Sequence, residues 1–226
     1  PFSCKPLSHS TLIPFPSLLL KQRRIIIVNI ANAPVLKDPM NHKITARSLI
    51  NMKGRGEKIA VATCYDYPTA LLQEAAGVDV IFAGDSVGTN VLGYSTSLQV
   101  TMEDMLHRCK AVRRGVKNAL LLVDMPFMSY QVSASEAVRN AGRLVQEAGA
   151  EAVKIEGGIE VLDAIRAICR AGIPVMGHIG MMPQKFLAEG KFRVYGKTSA
   201  EHALLIDSAK AIEEAGAFAI TLELVD

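Results

Sequence analysis

Cysteine is scarce, and the four that occur, Cys4, Cys64, Cys109 and Cys169, form no CxxC pair and no zinc-ligand spacing. That pattern excludes a disulfide framework and leaves reduced, mostly buried thiols of an intracellular protein. Glycine-rich phosphate loops are missing too: neither GxGxxG nor GxxxxGK[ST] occurs in the chain, which removes both common nucleotide fingerprints. No run of arginine and lysine is interleaved with aromatics, and the net charge of +3 is small and scattered, so nucleic acid is not an expected partner. No apolar run approaches transmembrane length, which predicts a soluble, cytoplasmic protein with no membrane partner. Acids are absent from the start of the chain, Asp38 being the first. Residues 1–40 are basic, rich in Ser, Pro and aliphatics, and show no helical or strand period. They read as an extension ahead of a natural start at Met40, or else as a transit peptide directing the protein to an organelle such as the mitochondrion. The fold reading sets them aside and takes 41–226 as the catalytic domain.

What is present is a repeated unit. "QEAAGVDVIFAGD", "QEAGAEAVKIEGG" and "EEAGAFAITLELV" each end a helix on a glycine (Gly77, Gly149, Gly216) and run straight into an apolar strand that finishes in an acid: Asp85, Glu156 and Glu223. Glycine is the usual helix stop because it tolerates left-handed backbone. "CRAGIPVMGHIG" is a fourth copy with His178 in the acid's place, and "ALLLVD" adds Asp124. Strands are predicted near Ile59–Thr63, Val78–Ala83, Leu120–Asp124, Ala152–Glu156, Pro174–His178 and Ala219–Glu223. Helices are predicted near Pro68–Ala76, Met102–Arg114, Ser135–Glu147, Glu160–Arg170 and Ala200–Glu214, with Ser135 and Ser199 as starts.

Alternating strands and helices imply a parallel sheet of βαβ units. A doubly wound fold would carry a phosphate loop after its first strand, where this chain has "CYDYPTA". A (β/α)₈ TIM barrel instead scatters functional side chains over many C-terminal strand ends, which is the pattern here. Such a barrel needs about 250 residues, and six strands are legible. The expectation is therefore an α/β (β/α)₈ barrel truncated after strand six, with raw sheet edges and, as one alternative, no activity.

Lys154 and Glu156 alternate with Val153 and Ile155 in "AVKIE", so the two charges share one face of their strand. Burying them costs several kcal/mol each unless something offsets it. Each strand-end residue has a plain structural reading: Asp85–Ser86 as a cap, Asp124 as a turn, Lys154–Glu156 as an ion pair, His178 as a loop histidine, Glu223 as a solvated end. Together they occupy equivalent positions that a barrel gathers at one rim. Three carboxylates meeting there (Asp85, Asp124, Glu156) resist joint ionisation without a cation, and an all-oxygen set favours Mg²⁺. Lys154 then faces an anionic substrate, His178 donates to an oxygen, and Glu223 is the candidate general base. From these residues alone the chemistry is metal-assisted proton abstraction next to a carbonyl.

"TCYDYPTA", "AGDSVG", "VTMEDMLHRCKAVRRG", "LLLVDMPFMSY", "AVKIEGG", "PVMGHIGMMPQ" and "LELV" occur in the order of ketopantoate hydroxymethyltransferases, and the resemblance runs from about Ile44 to Asp226. It implies transfer of a one-carbon unit from the co-substrate 5,10-methylenetetrahydrofolate to 3-methyl-2-oxobutanoate, giving 2-dehydropantoate, and a homo-oligomer, commonly a decamer. On matching positions it implies Mg²⁺ ligands at Asp85, Asp124 and Glu156. Substrate contacts fall at Ser86, Lys154 and His178, with Asp124 bordering the substrate as well, and Glu223 is the base. Met182 and Tyr195 depart from it, where Thr and Gln are usual. An alternative is a Mg²⁺-dependent barrel of the phosphoenolpyruvate mutase and isocitrate lyase type, although no cysteine here has the catalytic loop context common in those enzymes.

Overall fold

The computed structural model describes residues 43–226 together with the backbone of a three-residue strand, Ile26–Val28. Cys4 lies outside the described residues.

The repeated units fold as the glycine stops predict. Strands β2 (Val61–Thr63), β3 (Val80–Ala83), β4 (Leu120–Asp124), β5 (Ala152–Glu156), β6 (Val175–Gly180) and β7 (Ala219–Glu223) are all parallel. They form a half-barrel arc in sequence order. The first strand, β1 (Ile26–Val28), adds to its far edge beside β7. That strand falls inside the segment set aside as having no strand period; three residues are too few to show one. Gly77, Gly149 and Gly216 have φ of 75°, 73° and 106°, so each reverses the chain with backbone that a side chain would strain.

Helices α2 (Tyr67–Ala75), α3 (Met102–Gly115), α4 (Ala134–Ala148), α5 (Leu162–Arg170) and α7 (Ser199–Glu214) lie between the strands. Two helix starts differ from the expectation. The capping side chains are Ser133, accepting from Glu136 N at 3.1 Å, and Thr198, accepting from Glu201 N at 3.2 Å. Ser135 and Ser199 lie inside the helices. An oxygen three residues ahead of an acid reaches the orphan amide, and Ser135 and Ser199 stand too close. Helices α1 (Ala46–Gly54) and the single turn α6 (Phe186–Glu189) went unread.

The pleat divides the buried residues into two sets. Outward-facing Ile81, Leu121, Val123, Val153, Ile155 and Ile220 join the helices in the main core, each such side chain contributing about 1.5–3 kcal/mol. Inward-facing Val80, Leu120, Leu122, Ala152, Met176 and Ala219 form a second cluster, plugged by Leu49 and Met52 of α1. Along β4, β5, β6 and β7 the inward positions change from apolar to polar towards the C-terminal end: Leu120, Leu122, Asp124; Ala152, Lys154, Glu156; Met176, His178; Ala219, Thr221, Glu223. The inner face is therefore an apolar floor under a polar rim. Among the described residues, no helix is long and apolar enough to cross a membrane.

Candidate active site

Register aligns the rim. Asp124 pairs with Lys154 across β4 and β5, and Glu156 with His178 across β5 and β6. Lys154 and Glu156 do share a face, and both are buried. The Lys154 ammonium bonds the Asp124 carboxylate (Oδ1), lies 3.4 Å from Glu156 Oε1 and sits 5.2 Å over the Phe82 ring. The Asp124 Oδ2 accepts the Asp85 backbone N–H at 3.0 Å, which brings Asp85 against Asp124. His178 stands between two acids, Nδ1 at 3.3 Å from Glu156 Oε1 and Nε2 at 3.3 Å from Glu223 Oε2. Neither contact is aligned as a hydrogen bond. Ser86 bonds the Tyr65 hydroxyl at 2.8 Å at the edge of the same group. Six of the seven residues expected at the site lie in this linked set, and Ser86, next in the chain after Asp85, borders it.

Two residues that the sequence reading missed hold the set together. Gln184, at the start of the loop after β6, donates from Nε2 to Asp85 Oδ2 (2.8 Å) and to Met125 O (3.0 Å). Its backbone N–H reaches Glu156 Oε2 at 3.0 Å, and its Oε1 accepts from the Tyr130 hydroxyl at 2.7 Å. Tyr130 also accepts the Glu156 N–H at 3.2 Å. Neither residue is an acid or sits at a strand end, so the repeat of strand and acid does not mark them. The available signal was the "PQ" of "MMPQ" beside "GHIG".

Gly180 closes the opposite wall. Its φ is +96°, and a Cβ there would fall 2.3 Å from the Glu223 carbonyl oxygen, so only glycine lets β6 pass β7 where Met181 N bonds that oxygen. After Glu223 the chain turns through Leu224 (φ 46°). Tyr195, where the sequence departs from the family pattern, then bridges to Val225 and lies under the Arg193 guanidinium at 3.8 Å.

The electrostatics are unbalanced. Three buried carboxylates face one ammonium and one imidazole. Burial first, and then the Asp124 charge, push the Asp85 carboxyl up to about 8. Burial also raises Asp124, with Lys154 opposing. Burial would raise Glu156 as well, but Lys154 above all, with His178 and the Gln184 amide, holds it down to about 2. For Lys154 the neighbouring acids outweigh burial and raise it. Burial and Lys154 would lower His178, yet the closeness of Glu156 and Glu223 raises it. Asp85 is thus the acid left without a counter-charge, and it adjoins Asp124. That donor chemistry suits a hard divalent cation at Asp85 and Asp124. Both oxygens of Glu156, like both of Asp124, are engaged by the protein, and among the described residues no three His, Cys, Asp or Glu side chains converge as a ready-made cage.

The sequence profile of the ketopantoate hydroxymethyltransferase family matches residues 43–226. The chain belongs to that family. Curated relatives of this chain carry the name 3-methyl-2-oxobutanoate hydroxymethyltransferase. The one from Carboxydothermus hydrogenoformans is 52% identical over 81% of this chain and 66% of its own length. The one from Ignicoccus hospitalis is 56% identical over 81% and 69%. A Dehalococcoides mccartyi relative of the same name is matched over 65% of its length, so the chain spans about two thirds of these ketopantoate hydroxymethyltransferases. Among solved structures, a phosphonopyruvate hydrolase complexed with oxalate and Mg²⁺ superposes with a TM-score of 0.60 at 18% identity, over 80% of this chain and 63% of that one. A 2,3-dimethylmalate lyase, of the phosphoenolpyruvate mutase and isocitrate lyase superfamily, gives 0.56 at 20%, over 80% and 62%. At those identities the likeness is one of fold. Within the family's matched region, Cys64 and Cys109 are buried and Cys169 is half-buried. None of the three belongs to the rim.

Proposed function

We propose that the chain carries out hydroxymethyl transfer from 5,10-methylenetetrahydrofolate to 3-methyl-2-oxobutanoate, forming 2-dehydropantoate, the first step of pantothenate biosynthesis. One observation supports this most directly. Among the described residues Glu223 is the single rim carboxylate that keeps solvent access, with 30% of its side chain exposed, while Asp85, Asp124 and Glu156 are buried.

In this reading Glu223 takes the C3 proton of the 2-oxo acid, and His178 beside it steadies the carboxylate that gives and receives the proton. Water releases the folate methylene as formaldehyde, breaking both C–N bonds and freeing tetrahydrofolate; the enolate carbon then adds to the formaldehyde carbonyl, whose oxygen takes up a proton and becomes the new hydroxyl. Lys154 and His178 place positive charge and donors at the acid's oxygens, and Ser86 faces its carboxylate. Asp85 and Asp124 would hold Mg²⁺, with Glu156 as the third acidic member behind them, anchored by Lys154, His178 and the Gln184 amide. A bound Mg²⁺ supplies Lewis-acid polarisation of the ketone, worth several kcal/mol of charge stabilisation.

Glu223→Gln keeps the shape and loses the base. Turnover should fall by about 10²- to 10⁴-fold while the 2-oxo acid still binds. Deuterium exchange at C3 of 3-methyl-2-oxobutanoate, followed by NMR, reads the step alone; near-normal exchange in the variant would move the base role elsewhere.

A further inference from the structure

Ser86, Tyr65 and Asn90 form a short hydrogen-bonded chain at the edge of the site. The Tyr65 hydroxyl lies 2.8 Å from Ser86 Oγ and 2.8 Å from Asn90 Nδ2. The segment is wound to make this so: Asn90 N donates to Ser86 O at 2.9 Å and Thr89 Oγ1 to the same oxygen at 3.1 Å. Residues Gly88–Leu92 continue as a single π-helical turn, an element that recurs at functional sites. Asn90 therefore stands one turn above Ser86, and Tyr65 reaches both from the loop after β2.

The chemistry of the three groups favours one direction. An amide nitrogen only donates, so the Tyr65 oxygen accepts from Asn90. Thr89 Oγ1, at 3.5 Å from Asn90 Oδ1, faces the amide's acceptor side. The Tyr65–Ser86 bond can run either way by distance; a phenol is a stronger donor and a weaker acceptor than an aliphatic hydroxyl, so with Asn90 donating to its oxygen Tyr65 gives its one proton to Ser86 Oγ. Ser86 then receives a hydrogen bond and has its own proton to give to a third atom. Among the described residues, Tyr65 is the one hydrogen-bond partner of that hydroxyl.

We infer that Asn90 is a positioning residue: it polarises the Asn90–Tyr65–Ser86 chain in one direction, so that Ser86 presents a donor to an anionic oxygen, the carboxylate of the 2-oxo acid. This rests on the proposed reading that Ser86 faces that acid.

The test is calorimetric titration of the 226-residue chain with 3-methyl-2-oxobutanoate in the presence of Mg²⁺. Asn90→Leu removes the amide and lets Ser86 spend its proton on Tyr65, so binding should weaken about three- to tenfold. Asn90→Asp offers an acceptor instead, reverses the chain and adds a negative charge; its loss should be larger. Tyr65→Phe cuts the connection. In the Tyr65→Phe background Asn90→Leu should change nothing, and Asn90→Asp should retain only its charge effect. Asn90 is exposed, so thermal melts should match wild type, with Asn90→Ala as the second donor-free variant. Wild-type affinity in both donor-free variants, or equal losses with and without the Tyr65 hydroxyl, would overturn the inference. Ser86→Ala separates the two levels. If it binds the acid normally, or if the wild-type chain does not bind it, the reading of Ser86 fails and the inference with it. If Ser86→Ala alone loses binding, only the role of Asn90 falls.

Discussion

The two ends of the sheet use carboxylates in opposite ways. At the N-terminal end each acid is spent on the backbone. Asp79 accepts the Ala60 N–H at 2.7 Å, Glu74 accepts from Ala119 N at 3.2 Å, and Glu151 accepts from Leu121 N at 2.8 Å while Lys43 reaches it at 2.6 Å and Arg113 at 3.2 Å. At the C-terminal end Asp85, Asp124 and Glu156 are all buried and crowd one another, and Asp124 and Glu156 share one lysine. The first arrangement satisfies donors that the strands leave unpaired and needs nothing further. The second crowds three acids so closely that Asp85 is held in its protonated form near neutral pH, a perturbation that makes the cluster a candidate binding site. In the proposed reading the same residue type is mortar at one end and reagent at the other.

Three substitutions test that contrast. The largest effect is expected for Lys154→Met, which leaves Glu156 and Asp124 without their shared ammonium and should cost about 3–5 kcal/mol of stability in metal-free buffer. Saturating Mg²⁺ should recover part of it, and the 2-oxo acid should bind more weakly. A metal-free melt identical to wild type would show that Lys154 is not the counter-charge.

The second effect has the opposite sign. The Asp85 carboxyl is raised from its usual 3.8 to about 8. A raised carboxyl contributes its full stability below the unfolded value near 4, and that contribution drains away as the pH climbs through 8. Without metal the wild type should therefore lose stability across that window. Asp85→Asn should abolish the loss and raise Tm at pH 8 by about 5 °C, while weakening Mg²⁺ binding at least tenfold. A lower Tm at pH 8 would contradict the assignment of Asp85 as the uncompensated acid. Glu156 behaves the other way. It is held down to about 2, so its contribution stands above about 4.5 and is lost as the pH falls towards 2.

The smallest effect belongs to the other end. Glu151→Gln weakens a half-exposed set of contacts and should cost about 1 kcal/mol by chemical denaturation. Turnover per folded molecule should be unchanged; a specific loss of kcat would dissolve the division between the two ends.

Much of this was legible in the sequence because strand and acid come in one repeating phrase. Leu120–Asp124, Ala152–Glu156 and Ala219–Glu223 were read to the residue, since an acid ends each strand and a glycine stop precedes the last two. The alternation in "AVKIE" foretold that Lys154 and Glu156 share a face, and the plain ion pair weighed beside the site reading is also present: the two face each other and Asp124. What was illegible has no period. Helix α1 reads poorly because its buried stripe is only Leu49 and Met52. Gln184 and Tyr130 act from irregular segments, where nothing in the spacing says which way a side chain turns. The N-caps were missed for a related reason: several serines and threonines precede each helix, and only backbone geometry selects among them.

The Gln184 amide has a kinetic meaning as well as a structural one. It lies just beyond β6 in a short turn, where a backbone N–H would ordinarily exchange with solvent quickly, yet it ends on a carboxylate inside the protein. Deuterium can replace that hydrogen only when the turn lifts away from Glu156. The exchange rate of one amide is therefore a clock for the opening of the rim between β5 and β6, and any compound that settles there should slow it.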